Sequence, residues 1–234
     1  MSLVFVTGAA SGVGLLTAHE LIDDGHDVVI HARNPERITS EVTEIVDKVR
    51  GVVYGDLDSV TGVEAVAASA NEYGAFDAVI HNAGSDNEQK TFAVNVVAPY
   101  VLSALMTRPK RIVTVSSVMH VNGSPEALPH AFATGIIDYS NSKLFVTALM
   151  MGLARHWPEV MVHSVHPGWV PTRMGGPSAT DDLDLSYRTQ TPGWLPPRNR
   201  ILCRGPGVIG FISRCKIRTR QRWIRRFRMR CCTD

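Results

Sequence analysis

Tyr139 and Lys143 stand four residues apart in Tyr139-Ser140-Asn141-Ser142-Lys143. On a helix, that spacing puts both side chains on one face, one turn apart. A phenol with an ordinary pKa near 10 is a poor base at neutral pH. A neighbouring ammonium favours the tyrosinate and is expected to lower that value, fitting Tyr139 to exchange a proton with a substrate oxygen. A second group lies at the chain start, in Thr7-Gly8-Ala9-Ala10-Ser11-Gly12-Val13-Gly14. Glycines there permit a tight turn and let a diphosphate approach the backbone, where the next helix presents unpaired N–H groups and the positive end of its dipole.

A dinucleotide held this way has its ribose near the end of the second strand, His31-Ala32-Arg33-Asn34. A free 2′-hydroxyl usually meets an acid at that place. Ala32 offers none, and Arg33 offers a fork of donors suited to a 2′-phosphate. NADP(H) is therefore expected over NAD(H), with a solvated loop arginine as the plainer reading. Asp56, followed by Leu57, suits the adenine amino group or a simple turn in Gly55-Asp56-Leu57-Asp58.

These groups need a frame, and the sequence supplies one. Leu3–Thr7, Asp27–His31, Gly51–Tyr54, Phe76–His81, Arg111–Ser116 and Val160–Val165 read as short apolar strands. Helical patterns separate them: from the glycine turn to Asp23, over 36–48, from an Asp58 cap to Tyr73, over 91–106 despite Pro99, and from Tyr139 to Trp157. Strands alternating with helices predict an α/β, doubly wound parallel sheet, a Rossmann fold, in a single domain over 1–190. Ligands of such sheets sit at the carboxyl ends of the strands.

The 44% hydrophobic content is enough for a sizeable core. No apolar run of about 18 residues is free of polar interruption, so no membrane span is expected. The start has no basic region followed by a cleavage site, which leaves the cytoplasm as the expected compartment.

Taken together, the glycine turn, Asn82-Ala83-Gly84, Asn95 within Val94-Asn95-Val96, Ser117, Tyr139-x-x-x-Lys143 and Pro167-Gly168 resemble the short-chain dehydrogenase/reductase family, in its compact single-domain branch. The resemblance covers about residues 3–187. It implies hydride transfer between a nicotinamide and a small carbonyl or alcohol. It casts Tyr139 as general acid/base, Ser117 as the hydroxyl that orients the carbonyl (Ser116 being the alternative), and Lys143 as ribose ligand and tuner of Tyr139. Asn95 takes the place of the residue that holds a water in a proton relay. The cofactor-binding set becomes Gly8, Ser11, Gly12, Val13, Gly14, Arg33, Asp56, Leu57, Asn82, Ala83, Gly84, Tyr139, Lys143, Pro167, Gly168, Val170 and Thr172. No metal is expected: His163 and His166 lack partners at ligand spacing. His120 reads as a solvated loop residue. Trp169 suits either a pocket wall or packing under a loop.

The chain also departs from the family. Val121 to Ile137 lengthens the interval before Tyr139, and its Gly123, Pro125 and Pro129 suggest an excursion at the substrate mouth. The interval from Gly84 to Asn95 is short, which removes part of a helix used for dimer packing and leaves a homo-oligomer in doubt. Residues 188–234 hold 13 of the 24 Lys and Arg but one acid, Asp234, and all four cysteines. Residues 1–187 carry 11 bases and 21 acids. The family's last helix and seventh strand are expected to be missing from 191–234. The jump in charge, cysteine and proline content is read as a frame-shifted or disordered tail. Its rival is a basic arm for nucleic acid or anionic membrane, resting on the tail alone. The second functional reading is a nucleotide-binding sensor or scaffold with impaired catalysis. Resequencing the coding DNA is expected to show that 191–234 is read out of frame. An unbroken frame in several isolates refutes that origin.

Overall fold

The computed structural model describes residues 1–191 and the pair 210–211. Six strands run parallel: β1 (Leu3–Val6), β2 (Asp27–Ala32), β3 (Gly51–Tyr54), β4 (Ala78–His81), β5 (Arg111–Val115) and β6 (Met161–His166). The order across the sheet is β3-β2-β1-β4-β5-β6-β7. The direction of winding reverses between β1 and β4, so a crevice opens above that junction. The expected doubly wound α/β sheet is the fold observed.

Helices cover both faces. They are α1 (Gly12–Asp23), α2 (Ser40–Val46), α3 (Val60–Asn71), α4 (Glu88–Phe92), α5 (Ala98–Leu105), α6 (Leu128–Thr134), α7 (Tyr139–His156) and α8 (Leu183–Ser186). Alternation along β1 divides the core. Val4 and Val6 join Leu15, Leu21, Val42 and Ile45 on one face, while Phe5 joins Val63, Val66, Phe76, Ala98 and Leu102 on the other. The period of two along a strand produces this division, and apolar residues on both sides suit a sheet buried on both faces. No helix among the described residues is long and apolar enough to cross a membrane.

Four local expectations change. The helix over 36–48 is a 3-10 turn (Pro35–Arg37) followed by α2, because Ile38 leaves helical geometry. Ser59, not Asp58, caps α3 by accepting from the Gly62 N–H at 3.1 Å. The Asp58 carboxylate is engaged elsewhere, by Lys90 Nζ at 2.7 Å. Around Pro99 the helix continues, but it widens into a π turn over Ala93–Val97. Proline lacks the N–H that would close a regular turn onto Asn95, and π turns accommodate such breaks. Finally, a seventh strand is present in short form. β7 (Gly210–Phe211) pairs antiparallel with β6, Val165 opposite Phe211 and His166 opposite Gly210. An edge strand offers unpaired N–H and C=O groups that even two residues can satisfy. The remainder of 192–234, with the readings made for it, lies outside the described residues.

Phe5 is fully buried and its ring lies 5.4 Å from that of Phe76. Phe5→Ala is expected to cost about 3–5 kcal/mol of stability, measured by denaturant unfolding.

Candidate active site

The residues after β1 turn sharply at Gly8, whose φ of +65° suits glycine. A side chain there would also press on the Ala83 backbone, at 2.8 Å. Two further contacts fix the turn from β4. Asn82 donates its amide to the carbonyls of Thr7 (3.0 Å) and Gly8 (3.2 Å), while Thr7 Oγ1 accepts from the N–H groups of Asn82 and Ala83, both at 3.1 Å. A Cβ on Gly14 would stand 2.6 Å from the Gly8 carbonyl, so the first turn of α1 can lie against this junction only as glycine. Ser11 occupies the N-cap position, yet its hydroxyl makes no capping bond. The first N–H groups of a helix have no partner within it, and here they are left to a ligand.

The turn opens onto a cavity of about 1210 Å³. Every residue nominated from the sequence lines it except Asn95: Gly8, Ser11, Gly12, Val13 and Gly14 of the turn; Arg33, Asp56 and Leu57 at the ends of β2 and β3; Asn82, Ala83 and Gly84 after β4; Ser117, Tyr139 and Lys143; and Pro167, Gly168, Val170 and Thr172 after β6. Arg33 Nε lies 3.5 Å from Asp56 Oδ1, and Asp56 Oδ1 also accepts from the Asp58 N–H at 3.0 Å. Asp56 thus forms the turn and faces the cavity as well.

Asn95 stands just behind the wall, on the π turn. Its Oδ1 accepts from Ser85 N at 2.8 Å, and its Nδ2 donates to Ser85 O at 2.9 Å and to Ser142 Oγ at 3.0 Å. A Cβ on Gly84 would lie 3.5 Å from Asn95 Oδ1 and 3.8 Å from Lys143 Nζ, so both groups face the same point of backbone.

α7 begins at Tyr139, capped by the Asp138 carboxylate, which accepts from Asn141 N at 3.0 Å. Lys143 Nζ lies 5.3 Å from the Tyr139 ring centroid and donates to the Val115 carbonyl at 2.8 Å. Ser117 hydrogen-bonds to the Tyr139 side chain. Ser116 points away, to Thr147 Oγ1 at 2.6 Å, so the two serines take opposite directions and Ser117 is the one beside the phenol.

The electrostatics differ from expectation. Burial pushes the Tyr139 phenol up to about 12, the Ser117 bond opposes this, and Asp86 adds to it. Burial pushes Lys143 down from 10.5 to about 8. The ammonium was expected to lower Tyr139. Loss of water outweighs that attraction because both groups are enclosed together. His120 also differs: it is 2% exposed, and its Nδ1 lies 2.6 Å from the Ser117 carbonyl, to which it donates. Trp169 lines the cavity and is half exposed, with its Nε1 donating to the Gly175 carbonyl at 3.0 Å; this fits a wall rather than packing under the loop.

Several lining residues escaped the sequence reading. Arg37 joins Arg33 at the β2 end, and the spacing in Arg33-Asn34-Pro35-Glu36-Arg37 was its available signal. Asp86, Met119, Met174, Asp181 and Leu185 come from loops, whose shape sequence pattern does not encode. Gln190 is fully buried and donates to Asn82 Oδ1 at 3.2 Å, tying the segment after α8 to the glycine turn. Among the described residues no cluster of His, Cys, Asp or Glu could hold a metal ion.

The short chain dehydrogenase family model matches residues 2–183. The chain belongs to that family. It is 40% identical over 202 residues to an uncharacterized oxidoreductase of Emericella nidulans, covering 80% of this chain and 78% of that protein. It is 35% identical over 206 residues to the short-chain dehydrogenase chyC of Penicillium rubens, covering 81% and 79%. A solved short chain dehydrogenase from Burkholderia cenocepacia, in complex with NADP, superposes with a TM-score of 0.62 at 26% identity, covering 76% of this chain and 78% of that one.

The buried Lys143 gives a pH signature. Below pH 8 the folded chain holds an enclosed ammonium. Between about 8 and 10.5 the unfolded chain binds that proton and the folded chain does not, so stability rises with pH across the window. Lys143→Met is expected to be more stable than the parent at pH 7, by up to ~3 kcal/mol, with the gap closing towards pH 10.5. Urea unfolding of the ligand-free protein at several pH values measures it.

Proposed function

We propose that the chain is an oxidoreductase that uses NADP(H) in preference to NAD(H) and acts on a small, largely apolar carbonyl or alcohol. One observation carries the reading: Ser117, Tyr139 and Lys143 meet in a cavity that continues to an uncapped helix N-terminus and two arginines. The donor set fits a dinucleotide. The α1 N-terminus suits the diphosphate. Arg33 and Arg37 suit a 2′-phosphate, since guanidinium forks match phosphate geometry. Lys143 suits the nicotinamide ribose, and the backbone at Pro167, Gly168, Val170 and Thr172 suits the nicotinamide end. A similar solved protein is itself an NADP complex.

The nicotinamide, when bound, supplies or accepts the hydride at the substrate carbon. The protein manages the proton. Tyr139, held protonated by burial, donates to the carbonyl oxygen in the reducing direction and takes the proton back in the oxidising one. Ser117 holds the same oxygen and stabilises its developing charge. Lys143 returns the proton to Tyr139, and Asn95, which faces the Gly84 backbone with Lys143, occupies the relay position behind it. Met119, Trp169, Met174 and Leu185 line the mouth and favour an apolar substrate.

The sensor reading predicts binding without turnover. A carbonyl panel with NADPH decides between the two, because absence of any turnover would favour the sensor. Tyr139→Phe is expected to lower kcat by at least ~100-fold while cofactor affinity stays within about threefold. Arg33→Ala is expected to raise the KM for NADPH by about tenfold and leave that for NADH little changed. A phenylalanine variant with full activity, or equal losses for both cofactors, would sink the corresponding assignment.

A further inference from the structure

His31 ends the buried part of β2 and lines the cavity floor, yet the mechanism above does not use it. It is 3% exposed. Its ring spans two backbone groups from different strands. Gly8 N–H donates to Nδ1 at 3.1 Å, and Nε2 lies 2.9 Å from the Gly55 carbonyl. An amide N–H can only donate and a carbonyl can only accept, so Nδ1 is the bare nitrogen and Nε2 carries the hydrogen. The neutral ring in one tautomer is the single form that satisfies both. The His31 carbonyl adds a third tie, accepting from Ala9 N at 3.0 Å.

This bond settles which way the glycine turn faces. Gly8 N–H is directed back into the sheet, and the turn leaves the remaining N–H groups of the α1 start for a ligand. Asn82 holds the carbonyl side of the same residue, at 3.2 Å. Gly8 is therefore gripped on its donor by β2 and on its acceptor by β4. Gly55, on the far side of the ring, lies just before Asp56, so the imidazole also sets the spacing between the diphosphate turn and the adenosine end.

We infer that His31 is a positioning residue for the cofactor: its bare Nδ1 holds the Gly8 turn in the conformation that receives the diphosphate. The inference rests on the dinucleotide reading above. It differs from an ordinary core role because one ring nitrogen carries the effect. Protonation would place N–H against N–H and break the grip. Burial and Arg33 oppose protonation, while the Gly55 carbonyl and Asp56 favour it, with burial dominant. The glycine turn and β1 bring no titratable side chain to the ring. The turn is thus held at pH 7 and released on the acid side of the usual histidine range.

Three variants separate the two bonds. Asparagine places an acceptor near the position of Nδ1 but does not reach Gly55. Glutamine reaches Gly55 but leaves Gly8 N–H without an acceptor. Alanine makes neither bond. NADP+ and NAD+ affinities are measured by calorimetry, with kcat at saturating cofactor and amide exchange of residues 8–14 in the ligand-free protein. His31→Ala and His31→Gln are expected to bind both cofactors about tenfold more weakly, the cost of a buried N–H left unpaired. His31→Asn is expected within about threefold of the parent, and kcat at saturation is expected to hold in all three. Parent affinity for NAD+, which has no titrating 2′-phosphate, is expected to fall as pH drops below 6.5, and that of His31→Asn to stay level. Asparagine as weak as alanine, or alanine as tight as the parent, overturns the inference. If the alanine variant does not fold, the asparagine–glutamine pair decides. If the parent binds neither nucleotide, the dinucleotide reading fails instead. Amide exchange then still tests the grip: protection of the turn kept by asparagine and lost by glutamine upholds it, and equal protection refutes it.

Discussion

Two hydrogen bonds from the Asn82 amide, to the carbonyls of Thr7 and Gly8, join the ends of β1 and β4 where the sheet reverses its winding. The cavity exists because those two strand ends are held together while the helices that follow them diverge to opposite faces. Most of what lines it is organised from this point. Gly8 and Gly14 are small because Ala83 and the turn itself lie against them. The catalytic side is reached through the next residues, Ala83 and Gly84, which run beneath the cavity towards Lys143. Gln190 accounts for the orientation of the amide. By donating to Asn82 Oδ1 it leaves the nitrogen to face the turn, so a residue more than a hundred positions away fixes which end of Asn82 does the work.

The other half of the cavity is governed by exclusion of water. Enclosing Lys143 and Tyr139 together drives their pKa values towards the neutral forms, down for the amine and up for the phenol. The ligand-free site is therefore poised as a proton donor with a weakly held charge behind it. Stability is sacrificed for this arrangement, as is common where a charged group is enclosed for function. The Val115 carbonyl and the Tyr139 ring soften the cost without removing it.

Much of this was legible in the residues. The strand–helix alternation and apolar runs determine a parallel sheet almost unaided. Glycine, asparagine and the Tyr–Lys spacing mark the strand ends because each is tied to a backbone requirement or a shared helix face. What stayed hidden has a common cause: it depends on neighbours remote in sequence. His31 looked like one more strand residue until Gly8 and Gly55 were found on its two nitrogens. His120 read as solvated because nothing local reveals that Ser117 folds its carbonyl onto the ring. The direction of the Tyr139 shift was misjudged for the same reason, since one turn of helix shows the ammonium but not the walls. The mouth residues Met119, Trp169 and Met174 belong to loops whose paths are set by packing rather than periodicity.

The π turn at Ala93–Val97 has a consequence for how such a chain can change. It contains, in effect, one residue more than a regular helix would need to connect α4 to α5. Removing a single residue there would restore ordinary 3.6-residue winding and give a helix with better internal geometry. It would also rotate the two halves relative to each other by about 100°. With α5 held by its packing beneath the sheet, the Asn95 side chain would swing away from Ser85 and Ser142. An alteration that improves the helix by every local measure would thus erase the registration behind Lys143. Length, in this stretch, carries information that residue identity does not.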